Sequence, residues 1–174
     1  MKKITEQDGP PGRSYTPMEK FSHRPPRLTR IHQSVDCPVW FVTFCTHDRR
    51  KWLASDQVHR AFRRFADRAL EDFNVAVGPY IIMPDHVHLF VCGDSKFVLA
   101  PWIAALKQTL AKAAHRSRSD GQIWQEGFFD HLLRNDESMG QKWNYIRENA
   151  LRAGLVNRAE DWPYQGEIVP IDRV

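Results

Sequence analysis

The segment Met83-Pro84-Asp85-His86-Val87-His88-Leu89-Phe90 most narrows the folds open to this chain. Apolar runs flank Pro84-Asp85, one from Tyr80 to Met83 and one from His86 to Cys92. Proline is poorly tolerated inside a paired strand, and Pro-Asp favours a turn. The pattern predicts a β-hairpin whose first strand begins near Val75. Residues i and i+2 of a strand share a face. His86 and His88 therefore project together, while Val87 and Leu89 point the other way. Two neutral imidazoles on one rigid face form a metal half-site. Two ordinary strand histidines satisfy the bare motif equally well.

A second element lies about sixty residues further on, as Trp143-Asn144-Tyr145-Ile146-Arg147-Glu148-Asn149-Ala150-Leu151-Arg152-Ala153-Gly154. Trp143, Ile146, Ala150 and Ala153 recur with helical spacing and predict one helix with a buried stripe, ended by Gly154. Tyr145, Asn149 and Arg152 form a different stripe, in which Tyr145 and Asn149 are neighbours four residues apart. A phenol, an amide oxygen and a guanidinium on one face can act as a nucleophile, a metal ligand and a phosphate anchor. A solvated helix boundary has the same composition.

The rest of the chain supplies a scaffold. Val39–Thr46 is aromatic and β-branched, a strand. Ser55 is placed to cap a helix from Asp56 to Phe73, with Val58, Phe62, Phe65, Ala69 and Phe73 inward and Arg60, Arg63, Arg64 and Asp67 outward. Leu99–Arg116 predicts another helix, with Pro101 in its first turn and Lys107, Lys112, His115 and Arg116 on a basic side. Phe128–Leu133 predicts a fourth strand, Ser138 the start of the tyrosine helix, and Trp162-Pro163-Tyr164 an irregular tail. The order β-α-β-β-α-β-α begins as the split β-α-β pattern of ferredoxin-like folds does. The expected class is α+β: an antiparallel βαββαβ sheet with helices on one face, plus a C-terminal helix carrying Tyr145.

At 174 residues and 42% hydrophobic content the chain suffices for one domain with its own core. We divide it into a basic, Pro-rich arm (1–36), one domain (37–165) and a short tail (166–174). Lysine and arginine total 25 against 21 acidic residues, for a net charge of +4. That balance is compatible with nucleic acid without requiring it. Arg24, Arg27 and Arg30 in the arm are placed to touch phosphates. Three widely spaced cysteines support neither a disulfide framework nor a thiolate zinc site, and Cys45 and Cys92 read as small core residues. No apolar run follows Met-Lys-Lys, and none approaches a membrane span. A cytoplasmic, nucleoid-associated setting is the expectation.

Taken together, "VTFCTHDRR" (42–50), "MPDHVHLFV" (83–91), "LKQTLAKAAHR" (106–116), "IWQEGFFDHLLRN" (123–135) and "YIRENALRAGLV" (145–156) resemble the single-tyrosine HUH transposases, most closely the REP-associated tyrosine transposases. The segments occur in that family's order and cover roughly residues 38–165. The resemblance implies His86 and His88 as the metal-binding pair, Asn149 as the third ligand and Tyr145 as the nucleophile. It implies cleavage of single-stranded DNA through a 5′-phosphotyrosine, with a free 3′-hydroxyl, on palindromic repeats folded as hairpins. Mixed nitrogen and oxygen ligation without thiolate suits Mg²⁺ or Mn²⁺. Lys107, Arg116, Arg152 and Arg30 are candidate DNA contacts. Either a monomer acting in cis or a homodimer fits. The family usually has Asn-Pro where this chain has Asn149-Ala150, and alanine continues a helix more readily. Two rival readings remain: a domesticated repeat-DNA-binding protein without significant cleavage, and a metal phosphodiesterase in which Tyr145 is a bystander.

Overall fold

The fold is seen in a computed structural model that describes residues 38–133 and 139–171. Nine elements organise it: β1 (Val39–Cys45), α1 (Asp56–Phe73), β2 (Ala76–Ile82), β3 (His86–Cys92), α2 (Leu99–Ala113), β4 (Phe129–Leu132), α3 (Met139–Arg147), α4 (Asn149–Arg152) and β5 (Gln165–Glu167). The sheet order is β4-β1-β3-β2-β5, antiparallel throughout. Its first four strands have the ferredoxin-like βαββαβ arrangement expected from the sequence.

Strand alternation separates two cores. Trp40, Val42 and Phe44 of β1 and Val87, Leu89 and Val91 of β3 face the two long helices, where they meet Val58, Phe62, Ala66 and Ala69 of α1 and Ile103, Leu106 and Leu110 of α2. Ser55 Oγ accepts the Val58 N–H and caps α1. Asn74, in the left-handed region, closes it. The opposite face carries Val39, Ile81, Met83, Phe90 and Cys92, against which Ile146 of α3, Ala150 of α4 and Trp162 pack. The sheet thus lies between α1 and α2 on one side and the C-terminal helical segment on the other.

Three features differ from the sequence reading. The C-terminal helix is broken at Glu148 (φ −77°, ψ −3°), and Ala153 is exposed. At the break the Arg152 guanidinium donates at 2.6 Å to the Tyr145 carbonyl, the oxygen that takes the Asn149 N–H in an unbroken helix. Gly154 (φ 67°) ends α4 as expected. Second, the irregular tail supplies a fifth strand, Gln165–Glu167, paired along Pro79–Ile81 of β2 and straddling the boundary drawn at residue 165. Third, Cys92 is disulfide-bonded, whereas Cys45 is free. Pairing depends on tertiary approach, which the spacing of three cysteines does not reveal. Ser138 and Arg30 lie outside the described residues. Among the described residues no helix is long and apolar enough to cross a membrane.

Candidate functional site

The strand register builds the centre of the site. In β3, His86 stands opposite Cys45, His88 opposite Thr43, and Phe90 opposite Phe41. Directly opposed residues point to the same face, and Phe90 belongs to the core beneath α3 and α4. Both imidazoles therefore project from the face on which the C-terminal helical segment packs. Their ring centroids are 4.8 Å apart, and Phe41 stacks on His88 at 5.6 Å.

Each ring is held by one nitrogen. Asp85 Oδ1 lies 2.7 Å from His86 Nδ1, and Thr43 Oγ1 lies 2.7 Å from His88 Nδ1. Among the described residues neither Nε2 has a hydrogen bond, so one nitrogen per ring is left toward the open face. Such outer partners fix ring orientation and tautomer in metal sites. Burial pushes both imidazoles toward the neutral form. His88 falls to about 3, through desolvation first and then the neighbouring charges of His86 and Arg49. His86 is lowered by desolvation, against an upward pull from its Asp85 hydrogen bond. Neutral, oriented, half-buried imidazoles fit a divalent cation. Among the described residues no group of three His, Cys, Asp or Glu side chains forms a metal cluster.

The turn that precedes the histidines is locked. Thr46 is fully buried; its N–H donates to the Asp85 carbonyl at 2.9 Å, and its hydroxyl lies within reach of the Arg50 and Asp85 carbonyls at 2.8 and 3.1 Å. Trp52 and Leu53 N–H groups donate to the Pro84 carbonyl at 2.9 and 3.0 Å. Asp85 shapes the turn, as its position suggested, and also orients His86. The sequence signal for that second role was its adjacency to His86. Thr43 is visible only through the register.

The tyrosine group sits on α3 and α4. Tyr145 is 68% exposed. The Arg152 guanidinium lies 4.4 Å from its ring centroid, pairs with Glu148 at 3.1 Å and donates to Asn149 Oδ1. The structure brings Tyr145, Asn149 and Arg152 together, and it brings His86 and His88 together. Among the described residues no hydrogen bond or ring contact joins the two groups. The expected DNA contacts fare differently. Arg116 is exposed beyond α2. Lys107 is not a surface cation: it is 9% exposed, donates to the Gln125 and Gly127 carbonyls at 3.3 and 2.5 Å, and lies over Phe44 and Trp124. Its position on α2, facing the loop before β4, turns it inward. Trp124 packs edge-on against Phe44 and Trp52, as a core residue does.

Comparison with known proteins matches this architecture. Over 129 residues the chain is 26% identical to the REP-associated tyrosine transposase of Escherichia coli K12, covering 72% of this chain and 74% of that one. It is 29% identical over 154 residues to a Haemophilus influenzae protein provisionally given the same name, covering 77% and 86%. A solved REP-associated tyrosine transposase bound to a REP hairpin superposes with a TM-score of 0.63 at 19% identity, over 83% of this chain and 96% of that one, and so shares the fold. Residues 36–149 match the family described as transposase, IS200-like. That span is well over half the chain and holds the histidine pair, Tyr145 and Asn149, so the chain belongs to the IS200-like transposase family.

Proposed function

We propose that this protein is a metal-dependent single-stranded DNA endonuclease and strand transferase, acting on hairpin-forming repeat DNA through Tyr145. The observation that carries the reading is the pair of oriented imidazoles with unbonded Nε2 atoms, on the sheet face where the tyrosine-bearing segment packs. His86, His88 and Asn149 would hold the ion, Asn149 after exchanging its Arg152 partner. When bound there, Mg²⁺ or Mn²⁺ polarises the phosphodiester and neutralises charge that develops on it.

In this reading the Tyr145 oxygen attacks the phosphorus and loses its proton to solvent. The bond from phosphorus to the 3′-oxygen breaks, and that oxygen leaves as a hydroxyl after gaining a proton. The 5′-phosphate stays on the tyrosine, where the linkage conserves the capacity to rejoin a strand. Packing of α3 and α4 on the chain's own sheet supports action in cis. The REP hairpin bound by the structural neighbour motivates the choice of DNA.

The test is a denaturing gel of protein mixed with labelled hairpin DNA and Mn²⁺, with repeats flanking its gene as sequence. Wild type should give a slow, protease-sensitive adduct that Tyr145→Phe and His86→Ala do not. Hairpin binding without adduct or cut strand would replace this reading with a repeat-binding protein. Cleavage retained in Tyr145→Phe would replace it with a phosphodiesterase.

A further inference from the structure

We infer that Arg49 grips a backbone phosphate of single-stranded DNA at the histidine face. The inference rests on the reading of that face as a DNA site. Segment 42–50 is among those that carry the family resemblance, and it places Arg49 at the rim of the histidine pair.

Arg49 stands at the edge of the histidine pair. Its Nη1 is 3.4 Å from Asp85 Oδ2, the carboxylate whose other oxygen holds His86. That contact is long, and the side chain is 58% exposed. Among the described residues it is the side chain's one hydrogen-bonding partner, so most of the guanidinium's donors face solvent. One anion, the Asp85 carboxylate, already lies between Arg49 and His86, and the remaining guanidinium donors are open to a second. A phosphodiester is such an anion, and the planar guanidinium fork matches its oxygens.

The backbone argues the same way. Asp48 and Arg49 are consecutive non-glycine residues in the left-handed region, at φ 51° and 54°. Each costs conformational energy that persists only where the surroundings impose it, as at ligand clamps. Here the surroundings do impose it. Thr46 anchors one end to the Asp85 carbonyl, and Arg50 anchors the other to the carbonyls of His47, Asp120 and Gln122. The loop is held in a costly shape that sets Arg49 at the Asp85–His86 pair.

The test uses the full chain in chelator, so that no cleavage contributes. Anisotropy of a fluorescein-labelled repeat hairpin carrying a single-stranded flank is followed against KCl, for wild type, Arg49→Gln and Arg49→Gly. Losing one phosphate contact on a single strand should flatten the log–log salt slope by about 0.7 in both variants. The same hairpin without its flank should show no difference from wild type. Arg49→Gly removes the left-handed penalty, so its thermal midpoint should equal or exceed wild type. An unchanged slope in Arg49→Gln overturns the inference while leaving the DNA reading intact. A lowered midpoint with unchanged slope in Arg49→Gly marks a mere loop strut and also overturns it. Failure of wild type to bind either DNA overturns both.

Discussion

Asp85 decides which nitrogen of His86 is left for a ligand. With Oδ1 at 2.7 Å from Nδ1, the carboxylate favours a proton on Nδ1 and a lone pair on Nε2. Removing an outer partner of this kind typically costs ten- to a hundred-fold in metal affinity. We expect Asp85→Ala to weaken Mn²⁺ binding by about that factor, measured calorimetrically on protein without DNA. The backbone bonds from Thr46, Trp52 and Leu53 do not use the Asp85 side chain, so the fold should survive. Equal Mn²⁺ affinity in the variant would mean that the ion, if bound, is not held through His86. The histidine pair was legible because a strand has a period of two. Its partners were less so: Asp85 is adjacent in sequence, but Thr43 is 45 residues away and reaches His88 only through the β1–β3 register. Arg49 follows the first strand as one basic residue among several, and nothing in the pattern marks it as a neighbour of the site.

At the scale of elements, periodicity and caps gave α1 its ends, and the turn at Pro84-Asp85 gave β2 and β3 theirs. Where the determinant is not periodic, the reading falls short. The break at Glu148 is accompanied by a guanidinium that returns to a carbonyl seven residues back, a contact no periodicity announces. Strand β5 has no hydrophobic alternation, since Gln165-Gly166-Glu167 joins the sheet through its backbone at the β2 edge. Lys107 misleads for a related reason: helical spacing assigns it a side of α2 but does not say that the segment before β4 covers that side. We expect Lys107→Met to cost about 1–3 kcal/mol, because the part-buried carbonyls of Gln125 and Gly127 lose a charged donor. Urea unfolding measures this, and DNA affinity of the folded variant should match wild type. Full stability with weakened DNA binding would return Lys107 to the surface role first expected of it.

The whole molecule is pinned where α1, the sheet and the C-terminal segment meet. His59 of α1 lies 2.8 Å from the hydroxyl of buried Tyr80 on β2. Its ring stands edge-on to Tyr164 at 5.8 Å. The Tyr164 hydroxyl returns to Asp56 on α1 at 3.4 Å, and its carbonyl accepts the Ile82 N–H at 2.8 Å. Burial pushes the Tyr80 phenol up, which keeps it a donor toward a neutral imidazole. Burial first, and then Arg63, pulls His59 below its ordinary 6.5, against a smaller upward pull from Asp56. In the interval between the lowered value and 6.5 the unfolded chain binds the proton and the folded chain does not, so stability rises with pH there. The contribution is complete above about 6.5 and is lost as pH falls through that interval. Protonation also makes Nε2 a donor, which competes with the Tyr80 hydroxyl's own proton. We therefore expect urea-unfolding free energy to fall from pH 7 to pH 5 more steeply in wild type than in His59→Gln, whose amide can still meet Tyr80 but does not titrate. Parallel pH profiles for the two proteins would show that this junction holds α1 to the sheet by packing alone.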